Sequence, residues 1–225
     1  VQIPHRTSLH LGANNADFSV SFWTKLEQGA NGQWRGLAKK GRDWSERAFA
    51  LYLPPDSNKI NFAVSTANAF NEGDESNGAL TVNPWTQVGL VKAGNALPLF
   101  LGGSQDKAVT LSSATTGTVG SLFFGSAPDD ANPTRASFDD IRVYTQVLSA
   151  ANMQQLAAGQ EPNLNGGSTP GKLAAGNQGG ETQDGSAARA RTADSDEPSL
   201  AESGVYTLLI PLPESVEGIG DGFGT

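Results

Sequence analysis

From Phe18 to Lys25 the chain alternates: Phe18, Val20, Phe22 and Thr24 fall on one face, and Ser19, Ser21, Trp23 and Lys25 on the other. That period of two marks a half-buried strand. Ile60, Phe62 and Val64 alternate in the same way with Asn61, Ala63 and Ser65. Shorter runs at Trp34–Lys40, Arg47–Leu53, Trp85–Val91, Leu97–Leu101, Val109–Leu111 and Ser121–Gly125 predict further strands. Turn signals separate them: Pro54-Pro55-Asp56-Ser57, Asn83-Pro84, Ala93-Gly94-Asn95-Ala96 and Gly102-Gly103. Many short strands punctuated in this way predict an all-β sandwich. Ala67–Gly78 reads as a polar loop.

Residues 136–157 organise the rest. Phe138, Asp140, Arg142 and Tyr144 alternate with Asp139, Ile141 and Val143 in a long strand. Ser149 then predicts an N-cap, 150–158 a short helix, and Gly159 its stop. This alternation puts Asp139 on the apolar face, where a carboxylate has to be hydrogen-bonded, paired or bound to a metal. Asp140 and Arg142, two apart on one face, predict a surface ion pair.

After Gly159 the composition changes. Between Glu161 and Ser203 the large apolar residues are Leu164, Leu173 and Leu200, and Gly, Ala, Ser, Thr, Asn, Gln, Pro and charge fill the rest. Such a segment buries too little to offset its ordering entropy. Gly204–Pro213 returns to a strong β-forming pattern. The organisation expected is a sandwich at 1–159, an acidic Gly/Ser/Ala-rich linker at 160–203, and a strand-forming tail at 204–225. The tail is expected to add a strand to a sheet edge, its own or that of another protein chain.

Several stretches, taken in order, carry a family resemblance. Phe18-Ser-Val-Ser-Phe-Trp-Thr-Lys25, Leu37-Ala-Lys-Lys-Gly41 followed by Phe49-Ala-Leu-Tyr-Leu53, Trp85–Val91 with Leu97–Gly103, Leu122–Ser126, and Asp139-Asp-Ile-Arg-Val-Tyr144 with Leu148-Ser-Ala-Ala resemble laminin-G-like domains of the concanavalin A-like lectin/glucanase type. The resemblance covers about residues 1–159. It implies a jelly roll of two antiparallel sheets with one short C-terminal helix. It also implies use in adhesion or carbohydrate attachment, and a structural calcium near the closing strand. Trp23 and Trp85 fall where the family places structural aromatics, and Trp34, opening a strand, is expected to pack as well. Val1-Gln-Ile-Pro4 resembles the middle of the family's first strand. The first residue is not methionine, and a chain cut from a longer one is expected.

Charge narrows the partners. The net charge is −8, yet residues 1–160 hold 12 basic and 13 acidic residues, while 161–225 hold 3 and 10. The acidity belongs to the tail. No cluster of Lys and Arg suits a phosphate backbone, so nucleic acid is not an expected partner. No apolar run reaches membrane-spanning length. With no cysteine, disulfides and thiolate sites are excluded.

Two candidate sites emerge. Oxygen ligands from Asp139, Asp129, Asp130 and Asn132 suit calcium; the alternative is an Asp139 carboxylate bonded to backbone amides, with Asp129 and Asp130 in solvent. Trp44, flanked by Arg42, Asp43 and Arg47, offers a ring for a sugar face and charges for its hydroxyls; the alternative is a tryptophan folded over the sandwich edge. Catalysis is not expected. Glu72-Gly-Asp-Glu75 sits among loop residues, and no strand carries the Glu-x-Asp-x-Glu pattern of glycosidases of this fold. His5 and His10 have no nucleophile elbow nearby. A non-catalytic extracellular binding module for glycan or surface attachment is therefore expected, displayed on a larger assembly, outside the cell or at a cell or virion surface. A purely structural or decoration subunit, assembled through its tail, is the alternative.

Overall fold

The computed structural model describes residues 1–126 and 132–164, together with the backbone of two short strands at 171–173 and 205–208. The strands in chain order are β1 (Gln2–Ile3), β2 (Phe18–Leu26), β3 (Arg35–Gly41), β4 (Phe49–Leu53), β5 (Lys59–Val64), β6 (Glu72–Ala79), β7 (Trp85–Lys92), β8 (Ala96–Leu101), β9 (Ser104–Thr110), β10 (Ser121–Phe124), β11 (Ala136–Tyr144), β12 (Gly171–Leu173) and β13 (Val205–Leu208), with helix α1 (Ala150–Ala157) after β11. They form two sheets, ordered β1-β10-β3-β4-β5-β6 and β12-β13-β11-β2-β7-β8-β9. Every pairing is antiparallel except β12 with β13. The expected jelly-roll sandwich with one short helix is the observed fold.

The alternation builds the core. Phe18, Val20 and Phe22 from β2, Phe49, Leu51 and Leu53 from β4, and Ile60, Phe62 and Val64 from β5 all point between the sheets and are buried. Fully burying a side chain of this size stabilises by about 1.5–3 kcal/mol. A second apolar cluster lies outside the second sheet, where Met153 and Leu156 of α1, with Leu148, pack on Val91, Phe100 and Tyr144. The predicted cap holds the helix: Ser149 Oγ accepts from Asn152 N at 3.1 Å, and Asn152 Oδ1 accepts from Ser149 N at 3.0 Å. Gly102 (φ +57°) and Gly103 (φ +79°) make the β8–β9 turn. A Cβ at Gly103 would lie 2.7 Å from Ala157 Cβ, so the turn and the helix fit only without one.

Two expectations about strands are corrected. The register slips between Asp139 and Arg142, with Asp140 at φ +46°. This bulge adds a residue and reverses the alternation. Phe138, Ile141 and Val143 pack on the core, while Asp139 is exposed. Arg142 does pair with Asp140, Nε to Oδ1 at 2.7 Å, and also with Glu161 at 2.6 Å, but it is buried rather than a surface residue.

The second correction concerns Glu72–Ala79, which is edge strand β6 and not loop. Its weak β-propensity is offset by ties to the other sheet. Asp106 accepts from Asn77 N at 2.6 Å and Gly78 N at 2.8 Å, and Lys107 pairs with Asp74 at 2.9 Å. Most of the expected linker and tail lies outside the described residues. Their described parts are residues 160–164, β12 and β13, the last paired with Ile141–Tyr144 of β11.

Candidate functional site

The outer face of the first sheet carries a hollow. Successive residues of a strand face opposite ways, so Tyr52 of β4 and Asn61 of β5 point away from the core that Leu51 and Ile60 enter. They share a hollow of about 280 Å³ with Trp34, Trp44, Arg47 and Asn71. Trp34 directly precedes β3. Trp44 and Arg47 come from the loop between β3 and β4, and Asn71 from the loop between β5 and β6.

The local sequence explains why the loop holds Trp44 out. Asp43 Oδ1 accepts from Ser45 N at 2.8 Å and Ser45 Oγ at 2.7 Å, an Asx turn with Trp44 at its crest. The Ser45 hydroxyl and N–H hold the Asp43 carboxyl below its ordinary pKa. Arg42 pairs with Glu46 at 2.6 Å, and Thr118 Oγ1 also donates to Glu46. Trp44 is left 59% exposed, edge-on to the 46% exposed Phe70 with ring centroids 5.2 Å apart.

The Phe70–Asn71 side is fastened separately. Ser65 Oγ donates to Phe70 O at 2.9 Å, and Thr66 Oγ1 donates to Glu72 Oε2 at 2.7 Å. Partial burial works against ionisation of Glu72, but hydrogen bonds from Thr66 and Ser112 hold its pKa below the ordinary value. Arg47 ties the two loops together. Its Nη1 donates to Asn71 Oδ1 at 2.8 Å and its Nη2 to Trp44 O. Its guanidinium lies 5.7 Å from the Tyr52 ring and 5.6 Å from the Phe70 ring.

Of the four residues expected around Trp44, then, Trp44 and Arg47 line the hollow. Arg42 and Asp43 are engaged in holding the loop. The sequence reading did not single out Tyr52, Asn61 or Asn71, and it expected Trp34 to be packed. Trp34 is 49% exposed, and Trp85, also expected to be at least half in the core, is 43% exposed with the Lys25 ammonium 5.8 Å from its ring. The signal for Tyr52 and Asn61 was present: each is the outward residue of an otherwise apolar strand.

Of the set expected to hold calcium, Asp139 and Asn132 lie among the described residues. Asp139 is exposed and its Oδ1 accepts from Asp140 N at 2.8 Å; Asn132 Nδ2 donates to Gln33 Oε1 at 3.3 Å. Asp129 and Asp130 lie outside the described residues. No three His, Asp or Glu side chains among the described residues gather as a metal site. The carboxylates of β6 tie structure together: Glu72 to Thr66 and Ser112, Asp74 to Lys107, and Glu75 to Lys59 at 3.4 Å. No helix among the described residues is long and apolar enough to cross a membrane.

Solved structures share this architecture. The chain is similar to the botulinum neurotoxin serotype D binding domain (14% identity, TM-score 0.55, covering 70% of this chain and 39% of that one). It is likewise similar to the serotype G binding domain (12%, 0.54, 70% and 42%) and the binding domain of Paraclostridial Mosquitocidal Protein 1 (12%, 0.51, 63% and 37%). The chain thus spans about two fifths of the length of each, and identities this low establish the fold alone. No curated protein matches. The laminin-G-type family model described as "Concanavalin A-like lectin/glucanases superfamily" matches residues 1–154, most of the chain, and with two jelly-roll sheets under it the chain belongs to that superfamily.

Proposed function

We propose that this domain is a non-catalytic carbohydrate-binding module that seats a sugar in the hollow of the first sheet, acting outside the cell or on a virion surface. The observation that carries the reading is two exposed tryptophans, Trp34 and Trp44, on one hollow with Asn61 and Asn71. Sugar rings present C–H faces to aromatic rings, and side-chain amides both donate to and accept from hydroxyls. The volume lies near the lower end of small-ligand clefts, about 300 Å³. The described lining supplies rings and amides, the groups that would meet a sugar. The common route of glycoside hydrolysis uses two carboxyl groups flanking the scissile bond.

A glycan array tests the reading. Wild-type protein is expected to retain a restricted set of glycans, and Trp44→Ala and Trp34→Ala to lose them. An array left empty by wild-type protein overturns it.

Two further parts of the proposal have their own tests. Calcium held by Asp139, Asn132, Asp129 and Asp130 would raise the melting midpoint by mass action. A midpoint equal in calcium and in chelator removes it. Assembly through the tail draws support from the pairing of β13 with the β11 edge, since a strand that fills this edge in its own chain also suits the same edge of a second copy. Deleting 165–225 is expected to abolish any oligomer and leave the sandwich folded. An unchanged oligomeric state overturns it.

A further inference from the structure

Arg47 is the side chain in the hollow whose chemistry the proposed sugar contacts leave unused. It is 6% exposed, and both guanidinium bonds end on neutral acceptors, Asn71 Oδ1 and Trp44 O. Its Nε is buried with no hydrogen-bond partner. The carboxylates around it have other partners. Glu75, across the strands from Asn61, pairs with Lys59. Asp43 is bonded to Ser45, and Glu46 to Arg42 and Thr118. None of the described residues lining the hollow is acidic.

A guanidinium withdrawn from water with no counter-ion is costly unless something compensates it. The Tyr52 and Phe70 rings compensate in part by cation–π attraction. The charge they leave is directed into a concavity whose walls are largely rings, a setting that focuses a positive potential. A neutral sugar gains little from that potential. A sugar carrying an anionic oxygen group gains a charge-assisted contact, about twice as strong as a neutral one.

Resting on the carbohydrate-binding reading, we infer that the ligand of this hollow is an acidic saccharide whose carboxylate or sulfate group faces Arg47, with a sugar ring against Trp34 and Trp44. Arg47 thereby sets specificity, and the tryptophans supply contact area for whatever ring it admits.

The test takes the glycans that wild-type protein retains on the array and compares each with its matched form lacking the acid. Sialic acid is removed enzymatically, uronic carboxyls are reduced, and sulfates are hydrolysed, so the arms separate carboxylate from sulfate. Affinity is expected to fall at least tenfold when the acid is removed. It is also expected to weaken severalfold between about 50 and 500 mM NaCl, where screening shortens from over ten to a few ångströms. Arg47→Gln is expected to lose the discrimination and Arg47→Lys to keep part of it. Where Arg47→Gln melts too low to use, the matched pairs and the salt series on wild-type protein decide. Equal affinity for charged and neutral forms overturns this inference and leaves the carbohydrate-binding reading standing. An array with nothing bound overturns both.

Discussion

The outer faces of the two sheets are made by the same alternation and end differently. On the second sheet the outward positions include Val91, Phe100 and Tyr144, and helix α1 is laid over them through Met153 and Leu156. Gln87, a buried amide there, is satisfied: its Nε2 donates to Ser21 Oγ at 2.8 Å and its Oε1 accepts from Gly103 N at 3.0 Å. On the first sheet the outward positions around the hollow are Tyr52 and Asn61. No helix among the described residues covers them. Apolar outward residues demanded a cover. Here Arg47 lies over a buried Tyr52 with no helix on top, and Trp34 and Trp44 stay exposed where a ligand can reach them. What a strand carries on its second face therefore separates the sheet that a helix covers from the sheet proposed to bind.

The largest test of that contrast is to unseat the cover. Leu156→Ala removes a fully buried side chain and is expected to cost about 2–5 kcal/mol, read as a fall in denaturation midpoint. Glycan affinity at temperatures where the variant is folded should stay at the wild-type value, because the helix is on the far sheet. A parallel loss of affinity would mean that the two faces are coupled.

Next come the open-face tryptophans. Trp44→Ala and Trp34→Ala are expected to lower affinity at least tenfold, about 1.4 kcal/mol or more. Their effect on stability should stay near 0.5 kcal/mol, the range of exposed substitutions. Calorimetry for binding and denaturant melts for folding read both quantities on one preparation. A large loss of stability in either variant would return that tryptophan to the packed role expected of Trp34.

Most of the core was legible because Phe18–Phe22 and Ile60–Val64 alternate and Phe49–Leu53 is a continuous apolar run. The covered face was legible through its helix signal at Ser149. What was missed has physical causes. A bulge leaves no pattern of its own in Asp139-Asp140, since aspartate enters the left-handed region at modest cost; nothing local says the alternation changes there. Glu72–Ala79 carries residues that disfavour strands, and it is a strand because of Asp106 and Lys107, some thirty residues later. Trp34 looks like any strand-opening aromatic until β4 and β5 show which side it stands on. The candidate site was half legible for the same reason. Trp44 and Arg47 share a loop, whereas Tyr52, Asn61 and Asn71 join them only through sheet pairing.

The smallest expected effect concerns how the open face is held. Its two loops depend on carboxylates, Asp43 beneath Trp44 and Glu72 beneath Phe70 and Asn71, and the pKa values of both are held below their ordinary values near 3.8 and 4.5. A depressed folded-state pKa gives a contribution that is complete above the unfolded value and lost as pH falls through the folded one. Trp44 emission, taken as the difference between wild type and Trp44→Ala, should therefore be flat from pH 8 to pH 5. It should shift toward that of a solvated indole only below about pH 4. Asp43→Asn keeps an oxygen for Ser45 without a titrating proton, so the variant should hold the Trp44 emission steady on the Asp43 side, leaving only the Glu72 step, which Glu72→Gln removes. On the covered face the apolar cluster of Met153 and Leu156 does not titrate, and the nearby carboxylates, Asp140 and Glu161, pair with Arg142 outside that cluster. Near-ultraviolet signals from Tyr144 beneath α1 should persist through the same window. Simultaneous loss of both signals would show global acid unfolding instead of a local release of the hollow.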